Sequence, residues 1–204
     1  MGRTIACANQ KGGVGKTTTV VNLATYLALA GDRVLVIDLD PQGNATSGFG
    51  IDKSTVERSV YDTFTGALHL PALIRETKVA RLDIVPSSVA LAGAEVELVE
   101  MERREFRLRD ALARAELDYD YVLIDCPPSL NLLTINAMAA ADAVVVPLQC
   151  EFFALEGLSQ LLKTIERVRG GLNPELELQG IILTMFDKRN KLSDQVANDV
   201  REHL

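Results

Sequence analysis

A glycine-rich stretch between a short apolar run and a longer amphipathic run places the strongest constraint on how this chain folds. Residues 9–19 read Asn-Gln-Lys-Gly-Gly-Val-Gly-Lys-Thr-Thr-Thr and follow the apolar run Thr4–Ala8. Glycines allow successive backbone N–H groups to turn inward toward phosphate oxygens, and the start of the following helix adds partial positive charge. A strand, such a loop and a helix in this order predict a phosphate-binding loop.

Two side chains at the end of the loop have a defined chemistry. Lys16 supplies a full positive charge near the β- and γ-phosphates, and the Thr17 hydroxyl can ligate Mg²⁺. The common pattern has a glycine where Gln10 stands, and it has no need of a cation at Lys11. The predicted nucleotide contacts in the loop are Lys11, Gly12, Gly13, Val14, Gly15, Lys16, Thr17 and Thr18.

The rest of the chain alternates short apolar runs with longer amphipathic runs. The short runs predict strands buried on both faces of a sheet: Thr4–Ala8, Val34–Asp38, Leu82–Pro86, Tyr121–Asp125, Ala143–Pro147 and Leu178–Met185. The longer runs predict helices: Lys16–Ala30, Val89–Met101, Arg103–Glu116, Leu130–Ala140, Ala154–Arg169 and Leu192 onward. This alternation indicates an α/β fold of the P-loop NTPase type, a mostly parallel twisted sheet with helices on both faces.

Three aspartates lie at or just after the ends of predicted strands. Asp38 ends one apolar run, Asp40 follows two residues later, and Asp125 ends another run. Because the carboxyl ends of parallel strands meet at one edge of a sheet, these carboxylates are expected to face a ligand held by the loop. An aspartate after four apolar residues is typical of a Walker B site, so Asp125 is predicted to hold Mg²⁺ opposite Thr17.

Composition argues against several classes of protein. The net charge of −7 argues against an extended nucleic-acid surface, although residues 161–204 carry as many basic as acidic residues. Cys7, Cys126 and Cys150 form no C-x-x-C pair, so reduced and partly buried thiols of a cytosolic protein are expected. No apolar run reaches the roughly 18 residues that a membrane span needs, and no signal peptide is indicated.

The loop Lys11–Thr18 resembles the deviant Walker A box of the ParA/MinD/nitrogenase-iron-protein group. Further stretches are most similar to the ParA/Soj chromosome- and plasmid-partitioning ATPases: Asp38–Asn44, Asp125–Ser129, Gln149–Glu151, Ala154–Leu158 and Leu183–Met185. These stretches span almost the whole chain, so the resemblance rests on more than one motif. It implies that residues 1–204 form a single ATPase domain that lacks the family's C-terminal portion.

The resemblance also implies roles for individual residues, with ATP and Mg²⁺ as cofactors. Asp40 would orient the attacking water, and Asp38 would support the metal held by Thr17 and Asp125. Lys11 would reach across a two-fold axis to the partner's phosphates, where an added cation stabilises the charge of the transferred phosphoryl group. Catalysis would then rest on Lys11, Lys16 and Asp40.

An ATP-dependent homodimer follows from the implied role of Lys11. Gly12 would lie at its interface, where the lack of a side chain allows close approach. Plainer interpretations stay open: Asp40 as a turn cap, Asp38 as a structural carboxylate and Lys11 as a surface lysine.

The base of the nucleotide is expected to be adenine. Related GTPases read guanine with N-K-x-D after a late strand, whereas residues 184–187 here read Thr-Met-Phe-Asp. By resemblance, Met185 would pack on the base, and a buried core methionine is the alternative.

By resemblance, the ATP-bound dimer binds double-stranded DNA without sequence preference, and a ParB-type centromere-binding partner stimulates it. Such binding needs basic residues placed on phosphates. The best candidates are Lys188, Arg189 and Lys191, followed by Lys163, Arg167 and Arg169 on one helix. The arginines at 103, 104, 107 and 109 lie among acidic residues and indicate an ordinary ion-paired surface. A cytoplasmic, nucleoid-associated protein is predicted.

Three other classes stay open. A MinD-like ATPase that cycles on membranes needs a basic amphipathic C-terminal helix, whereas residues 193–199 are acidic and polar, so no membrane partner is predicted. An electron-transfer protein would need cysteines that bridge an iron–sulfur cluster, and Cys126 lies beside Asp125. An amidoligase or small-molecule kinase would need a substrate pocket that the sequence does not reveal.

Overall fold

The structure is a computed structural model that describes residues 2–151 and 154–203. Its strands are β1 Arg3–Cys7, β2 Val34–Asp38, β3 Arg75–Glu76, β4 Leu82–Val85, β5 Tyr121–Asp125, β6 Ala143–Gln149 and β7 Glu177–Thr184. Its α-helices are α1 Lys16–Ala30, α2 Asn44–Gly48, α3 Val60–Thr65, α4 Leu91–Leu98, α5 Arg107–Arg114, α6 Leu132–Ala140, α7 Ala154–Gly171 and α8 Lys191–His203. Two 3₁₀ turns cover Lys53–Thr55 and Leu70–Leu73.

The strands form one sheet in the order β3-β4-β2-β5-β1-β6-β7. Every neighbouring pair is parallel except β3 with β4, which is antiparallel. The predicted α/β fold with a mostly parallel sheet is therefore confirmed. All six predicted strands are present, with ends that differ from the prediction by only a few residues.

Helices cover both faces of the sheet because the strand residues are apolar on both sides. In β2, Val34 and Val36 pack with α1, whereas Leu35 and Ile37 belong to the larger cluster under α4 to α7. Small residues on α1, such as Ala24 and Ala28, are buried and allow that helix to lie close to the sheet. The near-continuous apolar pattern of the strands is thus explained by burial on two faces.

Three short elements depart from the sequence prediction. Strand β3 has two residues, α2 has five and α3 has six. Elements this short do not complete a recognisable period, so hydrophobic patterning does not reveal them. Helix α4 is also shorter than predicted, since it begins at Leu91 and ends at Leu98.

The carboxyl edge of the sheet brings the predicted aspartates together. Asp38 at the end of β2 is paired in register with Asp125 at the end of β5, and Asp125 is paired with Cys7 at the end of β1. The loop that follows β1 therefore begins next to both aspartates. The three cysteines are free and buried, as expected. None of the helices in the described residues is long and apolar enough to cross a membrane.

Candidate nucleotide-binding site

The glycine-rich loop leaves β1 and leads directly into α1. Gly13 and Gly15 have φ angles of 74° and 92°, a left-handed backbone that side chains rarely adopt, so both positions require glycine. A cavity of about 320 Å³ lies over this loop. Its walls are Gly12, Gly13, Gly15, Lys16, Thr17, Thr18, Asp40, Gln42, Asn44, Pro128 and Met185.

Lys16 is the cation of this cavity. Its side chain is mostly buried, and its ammonium group donates a hydrogen bond of 2.9 Å to the carbonyl oxygen of Lys11. Burial lowers the pKa of Lys16, and the negative charge of Asp125 opposes that shift. The ammonium group is thus folded across the loop and shares its only described hydrogen bond with the backbone, a bond that a phosphate oxygen could replace.

Asp125 is a buried carboxylate whose hydrogen-bonding capacity is not satisfied. Neither oxygen has a hydrogen-bond partner of ordinary geometry in the described part of the chain. Burial and, next, the nearby negative charge of Asp38 raise the pKa of Asp125, whereas a hydrogen bond from Thr17 lowers it; together they bring the pKa to about 7. A buried, unpaired carboxylate is costly, and a bound cation would offset that cost, so the chemistry of Asp125 fits a cation site.

Asp38 is equally buried but is fully engaged. Its oxygens accept hydrogen bonds from the Asp40 backbone N–H, at 3.1 Å, and from the backbone N–H and hydroxyl of Thr46, at 2.8 and 2.7 Å. The Thr46 hydroxyl in turn accepts from the backbone N–H of Ser87, at 3.0 Å. Burial raises the pKa of Asp38 to about 6, and the Thr46 bonds oppose this shift. These contacts tie β2, α2 and the end of β4 together.

Asp40 forms the turn cap considered from sequence, and it also lies at the cavity. One oxygen accepts from the Gln42 backbone N–H at 2.9 Å and so caps the turn at residues 40–43. The same residue lines the cavity. The turn cap fixes the direction of the carboxylate relative to the loop.

Lys11 points to a different place from Lys16. Its ammonium group forms an ion pair with Glu151 of the same chain, and its side chain is 42% exposed. Lys11 is absent from the walls of the cavity. The two lysines of the loop therefore differ in location: Lys16 faces the cavity, and Lys11 faces the surface.

Gln10 explains the departure from the common loop pattern. Its side-chain amide donates to Gln160 at 2.9 Å and to the carbonyl oxygen of Gly157 at 3.4 Å. These bonds join the start of the loop to α7. A glycine at this position would lack that anchor.

Neither the packing nor the backbone conformation of the described chain requires a glycine at position 12. A Cβ placed there would meet only the Pro128 side chain, at 3.9 Å, which is ordinary contact. Its backbone is not left-handed, unlike that of Gly13 and Gly15. A demand for glycine at position 12 would therefore have to come from a molecule outside this chain.

The donor set of this site fits a magnesium nucleotide. Mg²⁺ is commonly held by one or two carboxylates together with phosphate oxygens and water. The described residues contain no group of three or more histidines, cysteines, aspartates or glutamates placed to hold a metal on their own. Asp125 and Thr17 would supply the protein ligands, and the phosphates would complete the set.

Comparison with known proteins assigns the family. The family profile described as "AAA domain" matches residues 2–178. The chromosome partitioning protein ParA of Caulobacter vibrioides (strain NA1000 / CB15N) is 60% identical over 204 residues, which cover 99% of this chain and 76% of that protein. The sporulation initiation inhibitor protein Soj of Bacillus subtilis (strain 168) is 54% identical, with 100% of this chain and 81% of that protein covered. This chain belongs to the ParA/Soj family of partitioning ATPases.

Solved structures agree with this placement. A Mycobacterium smegmatis protein described as cobyrinic acid a,c-diamide synthase, with bound ADP and magnesium, has a TM-score of 0.95 and 43% identity. The alignment covers 100% of this chain and 83% of that one. A putative plasmid partition protein from Borrelia burgdorferi bound to AMPPNP has a TM-score of 0.87 and 28% identity, with 98% and 81% covered.

Met185 adjoins the loop in this ParA/Soj-family chain. It is 61% exposed and lines the cavity, so the alternative of a buried core methionine is wrong. Its neighbour Thr184 donates from its hydroxyl to the Val14 carbonyl oxygen at 2.9 Å. The end of β7 is thereby fixed against the phosphate loop, and the contact of Met185 with the base stays a prediction.

The basic residues predicted to contact DNA differ in whether they form ion pairs. Arg189 is paired with Asp187, whereas Lys188 and Lys191 are exposed and form no ion pair in the described chain. On α7, Arg169 is bound to Glu166 and to the Leu176 carbonyl oxygen. Lys163 and Arg167 on the same helix are exposed and unpaired among the described residues.

The arginines of residues 103–109 behave largely as predicted. Arg103 is paired with Asp110 and Arg104 with Glu105. Arg107 and Arg109 instead donate to backbone carbonyl oxygens, of Phe64 and Leu172.

Three contributors to the family site escaped sequence reasoning. Thr46 holds Asp38, Thr184 holds the loop, and Glu151 holds Lys11. Thr184 and Glu151 lie in stretches similar to the family, which is the one signal that could have singled them out. The sequence does not indicate the role of Thr46, because a threonine in a short polar run is common and does not predict a hydrogen bond to Asp38.

Proposed function

We propose that this chain is an Mg-ATP-driven switch for DNA partitioning, which dimerises with ATP and hydrolyses it. The observation that carries the proposal is the division between the two loop lysines. Lys16 serves the chain's own cavity, while Lys11 points out of it beside Gly12, whose missing side chain the chain itself does not require. A second copy that approaches Gly12 closely would use both features.

The nucleotide proposal assigns phosphate binding to Lys11–Thr18 and base contact to Met185. Lys16 would leave the Lys11 carbonyl oxygen and donate to the β- and γ-phosphates. Bound Mg²⁺ supplies charge neutralisation for the phosphoryl group. Thr17 and Asp125 would hold the magnesium ion. Asp38 would keep the strand end next to Asp125 in place through its bonds to Thr46 and Asp40.

For hydrolysis, Asp40 is the residue that would orient water toward the terminal phosphate. Its turn bond to Gln42 leaves the second carboxylate oxygen for this purpose. Lys16 and, from the partner subunit, Lys11 would stabilise the charge that develops on the phosphoryl oxygens.

Dimerisation on this proposal requires Lys11 to leave Glu151. The pair is partly exposed on both sides, 42% for the Lys11 side chain and 33% for Glu151, so water screens it. Such a bond is weak enough for the partner's phosphates to replace. In the monomer, Glu151 would bind Lys11. In the dimer, the partner's nucleotide would bind Lys11 instead.

The DNA surface is proposed at Lys188, Arg189 and Lys191, with Lys163 and Arg167 on α7 as a further part. Lys188, Lys191, Lys163 and Arg167 are the exposed, unpaired cations of these two groups within the described chain. Non-specific binding to phosphates needs basic side chains that can contact the nucleic-acid backbone. A ParB-type protein is the proposed stimulating partner, and the proposed location is the nucleoid in the cytoplasm.

The first experiment compares masses by light scattering. The Asp40→Ala protein, blocked in hydrolysis, is measured with Mg-ATP and with Mg-ADP. A dimer is expected with ATP alone, and the added Lys11→Ala change should return it to a monomer. Gly12→Val should keep the melting temperature of the monomer and lose the ATP-dependent dimer. A monomer under all conditions, or a dimer that ignores Lys11, would contradict the proposal.

A second candidate class, ATP-dependent amide synthesis, is suggested by the similarity to the Mycobacterium smegmatis cobyrinic acid a,c-diamide synthase, at 43% identity. The relative at 60% identity is named a chromosome partitioning protein, which favours the first proposal. Turnover that rises with a small carboxylic acid and ammonia, and stays unchanged with DNA, would favour the second. A MinD-like membrane cycle would instead show ATP-dependent binding to lipid vesicles.

A further inference from the structure

A second cavity, here called the α3–α5 cavity, lies between α5 and the end of α3 with the turn that follows it. Its volume is about 170 Å³. Among the described residues, none lines both this cavity and the cavity over the phosphate loop. The wall from α5 consists of residues spaced three, four, seven and eight positions from the first, which places them on one helical face: Arg107, Asp110, Ala111, Arg114 and Ala115.

Arg107 is held in the wall of this cavity by one hydrogen bond. Its Nε donates to the carbonyl oxygen of Phe64 at 3.0 Å. A Cβ built on Gly66 would lie 3.3 Å from its Nη2, so the end of the guanidinium group lies against a residue of the opposite wall. The terminal nitrogens have no hydrogen-bonded acceptor in the described part of the chain. The Phe64 bond therefore fixes the guanidinium group and leaves its terminal N–H groups for a ligand.

Arg114 adds a second positive charge two helical turns away. It is exposed and forms no ion pair or hydrogen bond within residues 2–151 and 154–203. Asp110 lies between the two arginines, but Arg103 donates to its carboxylate at 3.0 and 2.8 Å. That hydrogen bonding lowers the pKa of Asp110, and the charge of Arg114 adds to the shift. The cavity of this acidic chain thus carries two arginines without an ion-pair partner among the described residues.

Thr63 provides an independent indication of a polar ligand. The residue lines the cavity and is 6% exposed. Its hydroxyl oxygen is buried and forms no hydrogen bond in the part of the chain that the structure describes. Buried hydroxyl groups in folded proteins are usually hydrogen-bonded. An acceptor atom held in the cavity would satisfy this hydroxyl.

The rest of the wall is largely apolar, and it limits the size of a ligand. Leu68, Leu70 and Pro71 face Ala111 and Ala115 across the cavity. A cavity of about 150 Å³ holds a benzene molecule in another protein, so this one has room for a single ring or a short branched chain. It is smaller than the cavities of about 300 Å³ or more that hold drug-sized molecules.

We propose that the α3–α5 cavity binds a small organic carboxylate with an apolar body, through Arg107, Arg114 and Thr63. Guanidinium groups match the two oxygens of a carboxylate and bind them more specifically than a point charge does. The Thr63 hydroxyl donates to the same group, and the leucine and alanine side chains contact the apolar body. This binding is independent of the proposed partitioning function.

The probe is sodium benzoate, titrated into the ¹⁵N-labelled full chain with Mg-ADP present to occupy the phosphate loop. Amide chemical shifts should move at residues 63–71 and 107–115. Benzamide, which has the same shape without the charge, and inorganic phosphate, which has charge without the ring, should each bind at least about tenfold more weakly. Shifts confined to residues 10–18, or equal affinity for benzoate and either control compound, would overturn the proposal.

Variants with a matched control locate the site. Arg114→Gln should weaken benzoate binding about threefold or more, and it disturbs no described contact of the folded chain. Ala111→Leu, which fills the apolar wall and keeps every charge, should weaken binding about tenfold or more. Arg58→Gln changes an exposed arginine outside the cavity wall and should bind like the wild type.

Melting temperatures establish that each variant is folded. Unchanged affinity in both cavity variants, or an equal loss in Arg58→Gln, would overturn the site. Failure of the ATP-dependent dimer in light scattering, with normal benzoate binding, would fault the proposed function and not this cavity.

Discussion

Asp38 and Asp125 end neighbouring strands at directly paired positions, yet the chain treats them in opposite ways. Asp38 accepts three hydrogen bonds from Asp40 and Thr46, whereas Asp125 has no partner of ordinary geometry among the described residues. Both are buried. The difference separates a carboxylate that joins parts of the protein from one that stays available for the ligand that we propose.

The two aspartates also differ in how their burial affects the stability of the fold. The hydrogen bonds that Asp38 accepts offset part of the cost of its burial and join β2 to α2. Asp125 accepts no hydrogen bond of ordinary geometry from the described residues, so its burial lowers the stability of the folded chain, and the proposed cation would offset that loss. Each prediction below tests one side of this division.

The largest expected effect is on activity. Asp125→Asn should reduce Mg-dependent ATP hydrolysis by about 100-fold or more, because the proposed metal loses its charged protein ligand. The measurement is phosphate release at saturating ATP across a magnesium titration. The melting temperature without nucleotide should not fall, which serves as the folding control. Hydrolysis within about threefold of the wild type would remove the ligand role of Asp125.

The next effect is on stability, and it falls on the other aspartate. Asp38→Asn should lower the free energy of unfolding by about 2–3 kcal/mol, because an amide cannot accept bonds on both sides from Thr46 and Asp40. Urea unfolding of the chain without nucleotide measures it. A loss of hydrolysis with unchanged stability would reverse the roles that we assign to the two aspartates.

The pH dependence of stability distinguishes them further. The folded-state pKa values of Asp125 and Asp38 are raised to about 7 and about 6, from 3.8. Below pH 3.8 each group is neutral in both states and carries no penalty; as pH rises toward 7, the unfolded chain ionises first, so stability falls. With EDTA and no nucleotide, melting at pH 8 should lie about 5 °C or more below melting at pH 5.5.

Asp125→Asn is the control for this pH effect. It should remove most of the fall in melting temperature between pH 5.5 and pH 8, since the group with the higher pKa is gone. An unchanged slope would mean that Asp125 is not the buried charge responsible.

The smallest effect concerns the support of Asp38. Thr46→Val should cost about 1–2 kcal/mol, because it removes one bond to Asp38 and leaves the Ser87 backbone N–H without its acceptor. Urea unfolding measures this, and Thr46→Ser, which keeps the hydroxyl, is the matched control. Equal losses in the two variants would point to packing of the threonine methyl group instead.

Much of this arrangement could be predicted from sequence. The bounds of α1, β2 and β5 match the predicted ranges, because their apolar patterns are long and their ends carry strong signals, such as Gly31 after α1. The placement of Asp38 and Asp125 at one edge followed from parallel strands. The short α2 and α3 did not follow, since their residues form helices only in contact with the rest of the fold.

The sequence by itself determined the phosphate loop, the parallel strands and the edge at which the aspartates meet, because each depends on residues close together in the chain. Only the tertiary structure decided which aspartate is satisfied, why Gln10 replaces a glycine and where Lys11 rests. Those outcomes depend on partners far away in sequence, as with Gln10 and Gln160, separated by 150 positions. Hydrogen-bond partners of buried groups are fixed by how elements pack, and that packing is not a local property of the chain.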